Sequence, residues 1–185
     1  MATPTKRPLR IPRPGGGQVE GDVRSGGDGR PAVVLCGPFP HLADRLARAG
    51  LTAVSFTPKP GQAGDDDLAI VLDALHEGAA GAAPSSVAVF GHDQGAAAAL
   101  RRAVADPEIR ALVTWAARAD DSETAARVEV PWLIVHGTDD AAVPADAARE
   151  LHHATRGRAE LFLFPGDALD HAFQAAVSWF ANHLR

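Results

Sequence analysis

Tyrosine is absent from this chain of 185 residues, cysteine occurs once, and no apolar run approaches the roughly 20 residues that cross a bilayer. The single cysteine, Cys36, excludes an internal disulfide and fits a reducing compartment. Without tyrosine, no phenol is available to protonate a leaving oxygen. Excess positive charge is missing too: the formal net charge is -5 and no basic stripe is visible, so there is no footprint for nucleic acid. The basic start, Met1 to Arg10, has no apolar segment behind it, which argues against a signal peptide and against a membrane anchor. No His/Cys/Asp spacing suggests a metal site, and there is no internal repeat or long linker. A single domain in a soluble, cytoplasmic protein is the expectation, since the length suits one core and is short for two.

What is present is an alternating rhythm. Residues 1–30 are rich in Gly, Pro and charge and read as a tail with an edge-strand region. The turn signals Pro14-Gly15-Gly16-Gly17 and Gly26-Gly27-Asp28-Gly29 flank an antiparallel edge strand at 18–24. From 31 to 185 the pattern is that of a core. Strands are expected at 32–36, 51–57, 86–90, 111–115, 132–135 and 160–164. Helices are expected at 41–49, ending at Gly50, and at 65–77, 94–105, 145–154 and 172–184. The segment 78–83, with Gly78, Gly81 and the following Pro84, reads as a loop. Strands alternating with helices imply an α/β protein with a mostly parallel central sheet covered on both faces.

Three segments carry chemistry. In the first, Val87-Ala88-Val89-Phe90 leads into Gly91-His92-Asp93-Gln94-Gly95, and an Ala-rich helical run follows. That is a sharp strand-to-helix turn with a carboxylate at its apex. Side chains two residues before or after the apex would collide with a neighbouring strand or helix, hence the glycines. The apex residue is held in a strained conformation that pushes it into the pocket. The competing role for Asp93 is a plain helix cap. The second segment is Trp132-Leu133-Ile134-Val135-His136-Gly137-Thr138-Asp139-Asp140-Ala141-Ala142-Val143-Pro144, and the third is Phe164-Pro165-Gly166-Asp167-Ala168-Leu169-Asp170-His171-Ala172-Phe173, between the last strand and the final helix.

In these segments and their order the chain resembles the α/β-hydrolase superfamily, and its small dienelactone-hydrolase-like members in particular, from about residue 31 to the C-terminus. The resemblance implies an α/β-hydrolase fold with a cap domain essentially absent, no cofactor and a small-molecule substrate. It makes Asp93, in the place where such folds usually keep a serine, the nucleophile. His171 becomes the base and Asp140 the acid that orients it. Asp139 is the competitor for that last role, with a turn cap as its alternative. The competing role for His171 is a surface histidine at a helix start, and His136 reads as structural. His152 and His153 read as solvated. For the oxyanion hole, the backbone N–H of Gln94 is the first donor. The second should come from Cys36-Gly37-Pro38-Phe39-Pro40; Pro38 has no N–H, so Phe39 is preferred. Cys36 itself reads as core. Pocket walls are expected from Phe39, His92, Gln94, Trp115 and the loop 117–127, with Trp115 equally placed to be core. An open site without a cap is often covered by a partner subunit, so a homodimer is a further expectation.

An apical carboxylate changes the chemistry. It suits displacement at saturated carbon, as in the epoxide hydrolases and haloalkane dehalogenases that share Gly-His-Asp-x-Gly and Phe39-Pro40. Epoxide opening in those relatives uses cap-domain tyrosines, and this chain has neither. Dehalogenases usually place a tryptophan after the aspartate, where this chain has Gln94. Ester or lactone hydrolysis of the dienelactone-hydrolase kind needs Asp93 as nucleophile or as general base on water, and carboxylate attack on an ester carbonyl is slow because the carboxylate leaves again. A hydrolase-fold protein that binds a ligand without turnover, with serine replaced by Asp93, is the remaining alternative.

Overall fold

The computed structural model describes residues 4–184 except 26, 60, 61 and 167. Residues 1–3 of the basic start, Gly26 of the second glycine turn and Asp167 of the third segment therefore lie outside the described residues.

Eight strands form one sheet in the order β1-β2-β4-β3-β5-β6-β7-β8. They are β1 (Thr5–Pro12), β2 (Gln18–Ser25), β3 (Ala32–Cys36), β4 (Thr52–Phe56), β5 (Val87–His92), β6 (Ile109–Trp115), β7 (Trp132–Gly137) and β8 (Ala159–Phe164). From β4 to β8 every pairing is parallel. β1 and β2 make an antiparallel hairpin that joins the sheet through β4. The edge strand expected at 18–24 is present, but it is not the edge. Thr5–Pro12, which reads as tail, is a strand outside it, paired from Thr5↔Ser25 to Pro12↔Gln18.

The strands that are buried throughout, such as Ala32-Val33-Val34-Leu35-Cys36, carry apolar residues at every position because both faces are covered. Successive side chains alternate, so Val34, Cys36, Val54 and Phe56 face one layer and Val33, Leu35, Ala53 and Phe90 the other. The first layer is closed by helices α2 (Gln62–His76), α3 (Gln94–Ala105) and α5 (Ala145–Ala154), through Leu68, Leu72, Leu100 and Leu151. The second is closed by α1 (Pro40–Arg48) and α6 (Leu169–His183), through Leu42, Leu46, Val177 and Phe180.

Helix α1 ends as its glycine foretells. Gly50 takes φ 86°, its N–H donates to Ala47 O at 3.1 Å, and the Leu51 N–H reaches back to Leu46 O at 3.1 Å. These two bonds satisfy carbonyls that the helix end would otherwise leave open. Between β6 and β7 there is only a 3₁₀ turn at Ala119–Asp121 and a four-residue helix, α4 (Ser122–Ala125). Among the described residues, no cap domain stands over the C-terminal ends of the central strands. Helix α6 begins at Leu169, ahead of the expected 172, and so takes in His171.

Candidate active site

The turn from β5 into α3 shows why its glycines are needed. A Cβ on Gly91 would sit 2.1 Å from Gly95 O, and one on Gly95 would sit 2.6 Å from Cys36 O. Strand β5, helix α3 and the end of β3 are thus packed backbone to backbone. Asp93 at the apex has φ 49° and ψ -115°. A non-glycine residue in that region carries about 1–3 kcal/mol of strain. Its backbone is held from both sides: the N–H donates to Trp115 O at 3.0 Å, and its carbonyl accepts from Ala96 N at 3.0 Å. Its side chain makes no cap bond to the helix, so it is not a plain N-cap.

The Asp93 carboxylate meets Arg118 instead. Arg118 Nη2 and Nε donate to Asp93 Oδ1 at 3.0 and 3.3 Å. Both side chains stay open to water, at 41% exposure for Asp93 and 53% for Arg118. An ion pair so exposed contributes about 0.2–1 kcal/mol, and a substrate can displace it at little cost. Arg118 arrives there through a tight turn at the end of β6, where Ala116 takes φ 53° and its N–H donates to Val135 O at 3.1 Å.

Asp93, Gln94 and Arg118 line a cleft of about 390 Å³, shared with Pro58, Lys59, Arg101, Asp120 and Asp121. Asp65 holds Arg101 at 2.8 and 2.9 Å. Burial, and then the neighbouring Asp120, push the Asp121 carboxyl above the usual carboxylate range. Gln94 is the first residue of α3, and the first N–H groups of a helix have no partner within it. The Gln94 N–H is one of these groups, at the end of α3 next to Asp93.

Phe39 does not offer the second donor in this conformation. Its N–H donates to Gly37 O at 3.1 Å, within its own loop. The loop is fixed by Gly37, whose φ of 141° suits glycine and whose Cβ position is filled by the Phe39 ring, 2.6 Å away. The Phe39 ring packs with Phe90, His92 and Trp115, at centroid distances of 5.1, 5.6 and 6.5 Å. Trp115 also touches Phe164 and Phe173, so it joins the α1/α6 layer rather than the cleft. His92 is exposed on one side and flanked by Phe39 and by Trp115, the latter at 5.3 Å. Loss of water around the ring holds the His92 imidazole below its ordinary pKa, against the pull of Asp93 and Asp140.

The acid segment is rigid. Asp140 Oδ1 accepts from Ala142 N at 2.8 Å and from Val143 N at 2.9 Å. The bond from Val143, then that from Ala142, hold the Asp140 carboxyl below the usual range despite partial desolvation. Fully buried His136 completes the brace, with Nε2 2.8 Å from Val143 O. It is a structural histidine, as the sequence suggests. Asp139 accepts from Gly166 N at 3.0 Å and so ties the acid segment to the one carrying His171.

His171 does not line the cleft that holds Asp93. It is exposed on the first turn of α6, its N–H bonded to Ala168 O at 3.0 Å, and it lines a separate groove between β8 and α6. Among the described residues no hydrogen bond or ion pair joins His171 to Asp93 or to Asp140. The cleft therefore holds Asp93 and Gln94, Asp140 acts on His92 through its charge, and His171 lines the other groove. Sequence reading missed Arg118, Arg101 and Lys59. Arg101 could have been found, since it is two helical turns from Gln94 on α3. Arg118 lies in the loop singled out as a pocket wall, but nothing local marks it as the partner of Asp93.

The sheet order, the missing cap and the strained elbow define an α/β-hydrolase. Residues 43–182 match the Dienelactone hydrolase family, well over half of the chain, and the chain belongs to that family of hydrolases. No curated protein matches the chain. Among solved structures it is similar to the dienelactone hydrolase from Anabaena variabilis, with a TM-score of 0.87, 19% identity and 100% of each chain covered. It is also similar to the esterase domain of a Rhodothermus marinus protein, with a TM-score of 0.80, 16% identity, and 98% of this chain and 100% of that one covered. Est1E from Butyrivibrio proteoclasticus gives a TM-score of 0.83, 14% identity and coverage of 95% and 98%. At these identities the likeness is one of fold.

Proposed function

We propose that the protein hydrolyses small lactones or activated esters, with Asp93 as a carboxylate nucleophile at saturated carbon. The observation that carries this reading is the strained apex at Asp93, which aims a carboxylate into an open cleft beside Arg118. In the first step an Asp93 oxygen attacks the alkyl carbon of the substrate's ester link. The alkyl C–O bond breaks, and the substrate leaves a carboxylate that needs no proton. Absence of tyrosine is then no obstacle, and Arg118, released from Asp93, neutralises the departing carboxylate. In the second step a histidine takes a proton from water, which attacks the Asp93 ester carbonyl. The N–H of Gln94 stabilises the oxyanion, the alcohol leaves with the proton, and Asp93 is regenerated.

In this reading His171 is the base and Asp140 its orienter through the oxygen not bound to backbone. His171 then has to leave the groove behind α6 and turn toward Asp93 when substrate binds. A second reading makes His92 the base, favoured by its position beside Asp93 and Asp140 and by the apolar rings that keep it neutral. The loss of activity on acidification separates them. With His92 it falls below the ordinary histidine value of about 6.5, since a base works only while neutral. His171→Gln and His92→Gln, assayed on the same lactone, name the residue.

Single turnover in heavy-oxygen water tests the whole proposal. Label in the Asp93 peptide and unlabelled oxygen in the product alcohol are expected. Label confined to the product carboxylate would show general-base attack of water at the acyl carbon and overturn the alkyl-enzyme route.

A further inference from the structure

The sheet's two edges are built differently. β1 carries Pro8 and Pro12, which have no N–H, and the exposed cations Lys6, Arg7 and Arg10. Prolines and charges on an edge discourage a further strand. β8, Ala159-Glu160-Leu161-Phe162-Leu163-Phe164, has no proline and no cation, and Leu161, Phe162 and Leu163 are only half-buried.

The hydrogen bonds of β8 fix which groups face outward. Arg158 O accepts from Trp132 N at 2.8 Å and Phe164 O from Thr138 N at 2.7 Å. The strand alternates without a bulge, so residues 158, 160, 162 and 164 turn their backbone groups to β7. Those of Ala159, Leu161 and Leu163 turn outward. His152 Nε2 lies 3.2 Å from Ala159 O, in keeping with that direction, and covers one end of the free edge. Pro165, with no N–H, closes the other. Among the described residues, the N–H and C=O of Leu161 and of Leu163 stay open.

We propose that a second copy of this chain adds there, antiparallel, with the two-fold axis through Phe162. Leu161 of each copy then faces Leu163 of the other, and each facing pair exchanges both N–H···O bonds. The open groups are self-complementary in this register. An axis at Leu161 calls on the Ala159 carbonyl that His152 holds, and an axis at Leu163 calls on an N–H that Pro165 lacks. The charges agree as well: Glu160, the only charged side chain of β8, faces Phe164 rather than another Glu160. Phe162 belongs to the α6 face, so two Phe162 rings meet on the axis, where paired side chains approach most closely. They close the grooves that run between β8 and α6 along Gln174, Ala175 and Ser178.

Sedimentation velocity of the full chain across concentration, up to about 100 µM, is expected to show a monomer–dimer equilibrium. Leu163→Pro removes an outward N–H and no bond within the sheet. It should weaken the dimer by ~10-fold or more while circular dichroism stays unchanged. Amide exchange on the unaltered chain decides independently, even where Leu163→Pro fails to fold: Leu161 and Leu163 should become protected as concentration rises. A monomer at every concentration, or a dimer in which these two amides exchange as fast as in the monomer, would overturn the proposal.

Discussion

Arginine meets aspartate in two regions of this molecule, with opposite results. Arg13, in the hairpin turn between β1 and β2, donates to both oxygens of Asp67 on α2, at 2.6 and 2.9 Å, and the Lys59 N–H adds a bond at 3.0 Å. The Asp67 side chain is 2% exposed. Burial alone would push the Asp67 carboxyl up, but these partners outweigh it and hold it below the usual carboxylate range. Arg118 and Asp93 stand half in water, with one carboxylate oxygen engaged among the described residues. The same chemical pair serves as a clamp where every acceptor is occupied and water is excluded, and as a loose latch where it is not. The first belongs to the fold; the second suits a nucleophile that must be uncovered.

The sharpest way to test this contrast is to remove the two carboxylates in turn. Asp93→Asn should lower kcat by roughly 10⁴-fold, in line with removal of nucleophiles elsewhere. Its unfolding midpoint in urea should barely move. Arg118→Ala should reduce kcat/KM by roughly 10²-fold, the scale of a lost charge-stabilising donor. The deficit should be largest for substrates whose released carboxylate is most basic. Asp67→Ala should do the reverse, costing about 1–3 kcal/mol in urea denaturation while the folded fraction keeps its kcat. Acid titration separates the two pairs more finely. Because Asp67 is more acidic folded than unfolded, its contribution is complete above the unfolded value of about 3.9 and disappears as pH falls through the lower folded value. Asp67→Asn should therefore flatten the acid limb of the stability profile. The smallest effect is expected from Arg118→Ala on stability, within about 0.2–1 kcal/mol and shrinking further in salt. A loss larger than that of Asp67→Ala would show that the latch is a clamp after all.

Features of the site that follow from short-range geometry were legible in the sequence. Gly91 and Gly95 announce a close approach of backbones, and Gly50 a helix end, because each reports a contact that a Cβ would spoil or a φ it would resist. The βαβ rhythm fixed the parallel core for the same reason, since period and burial are local. Features that depend on distant partners were not legible. Thr5-Lys6-Arg7-Pro8-Leu9-Arg10-Ile11-Pro12 looks like a tail, and is a strand only because β2 lies beside it and an edge tolerates proline. Arg118 finds Asp93 through a reversal at Ala116, an alanine that nothing marks as having positive φ. The Phe39 N–H was expected to face the cleft, and Gly37 turns it inward. His171 was expected in the loop before the last helix, yet Ala168 O already accepts the first bonds of α6.

The sheet order has a consequence for how the chain folds. β4 lies between β2 and β3 although it comes after both along the chain. Gly21 of β2 fits against Phe56 of β4 so closely that a Cβ there would fall 2.1 Å from Ser55 O. The hairpin can form early from its own contacts, but it has no sheet to join until β4 has docked on β3. Pairing of β4 with β3 across α1 is a non-local contact, and such pairings form more slowly than local ones. The Arg13–Asp67 clamp, from that hairpin's turn to α2, is a second tie between the N-terminal strands and the chain that follows β4.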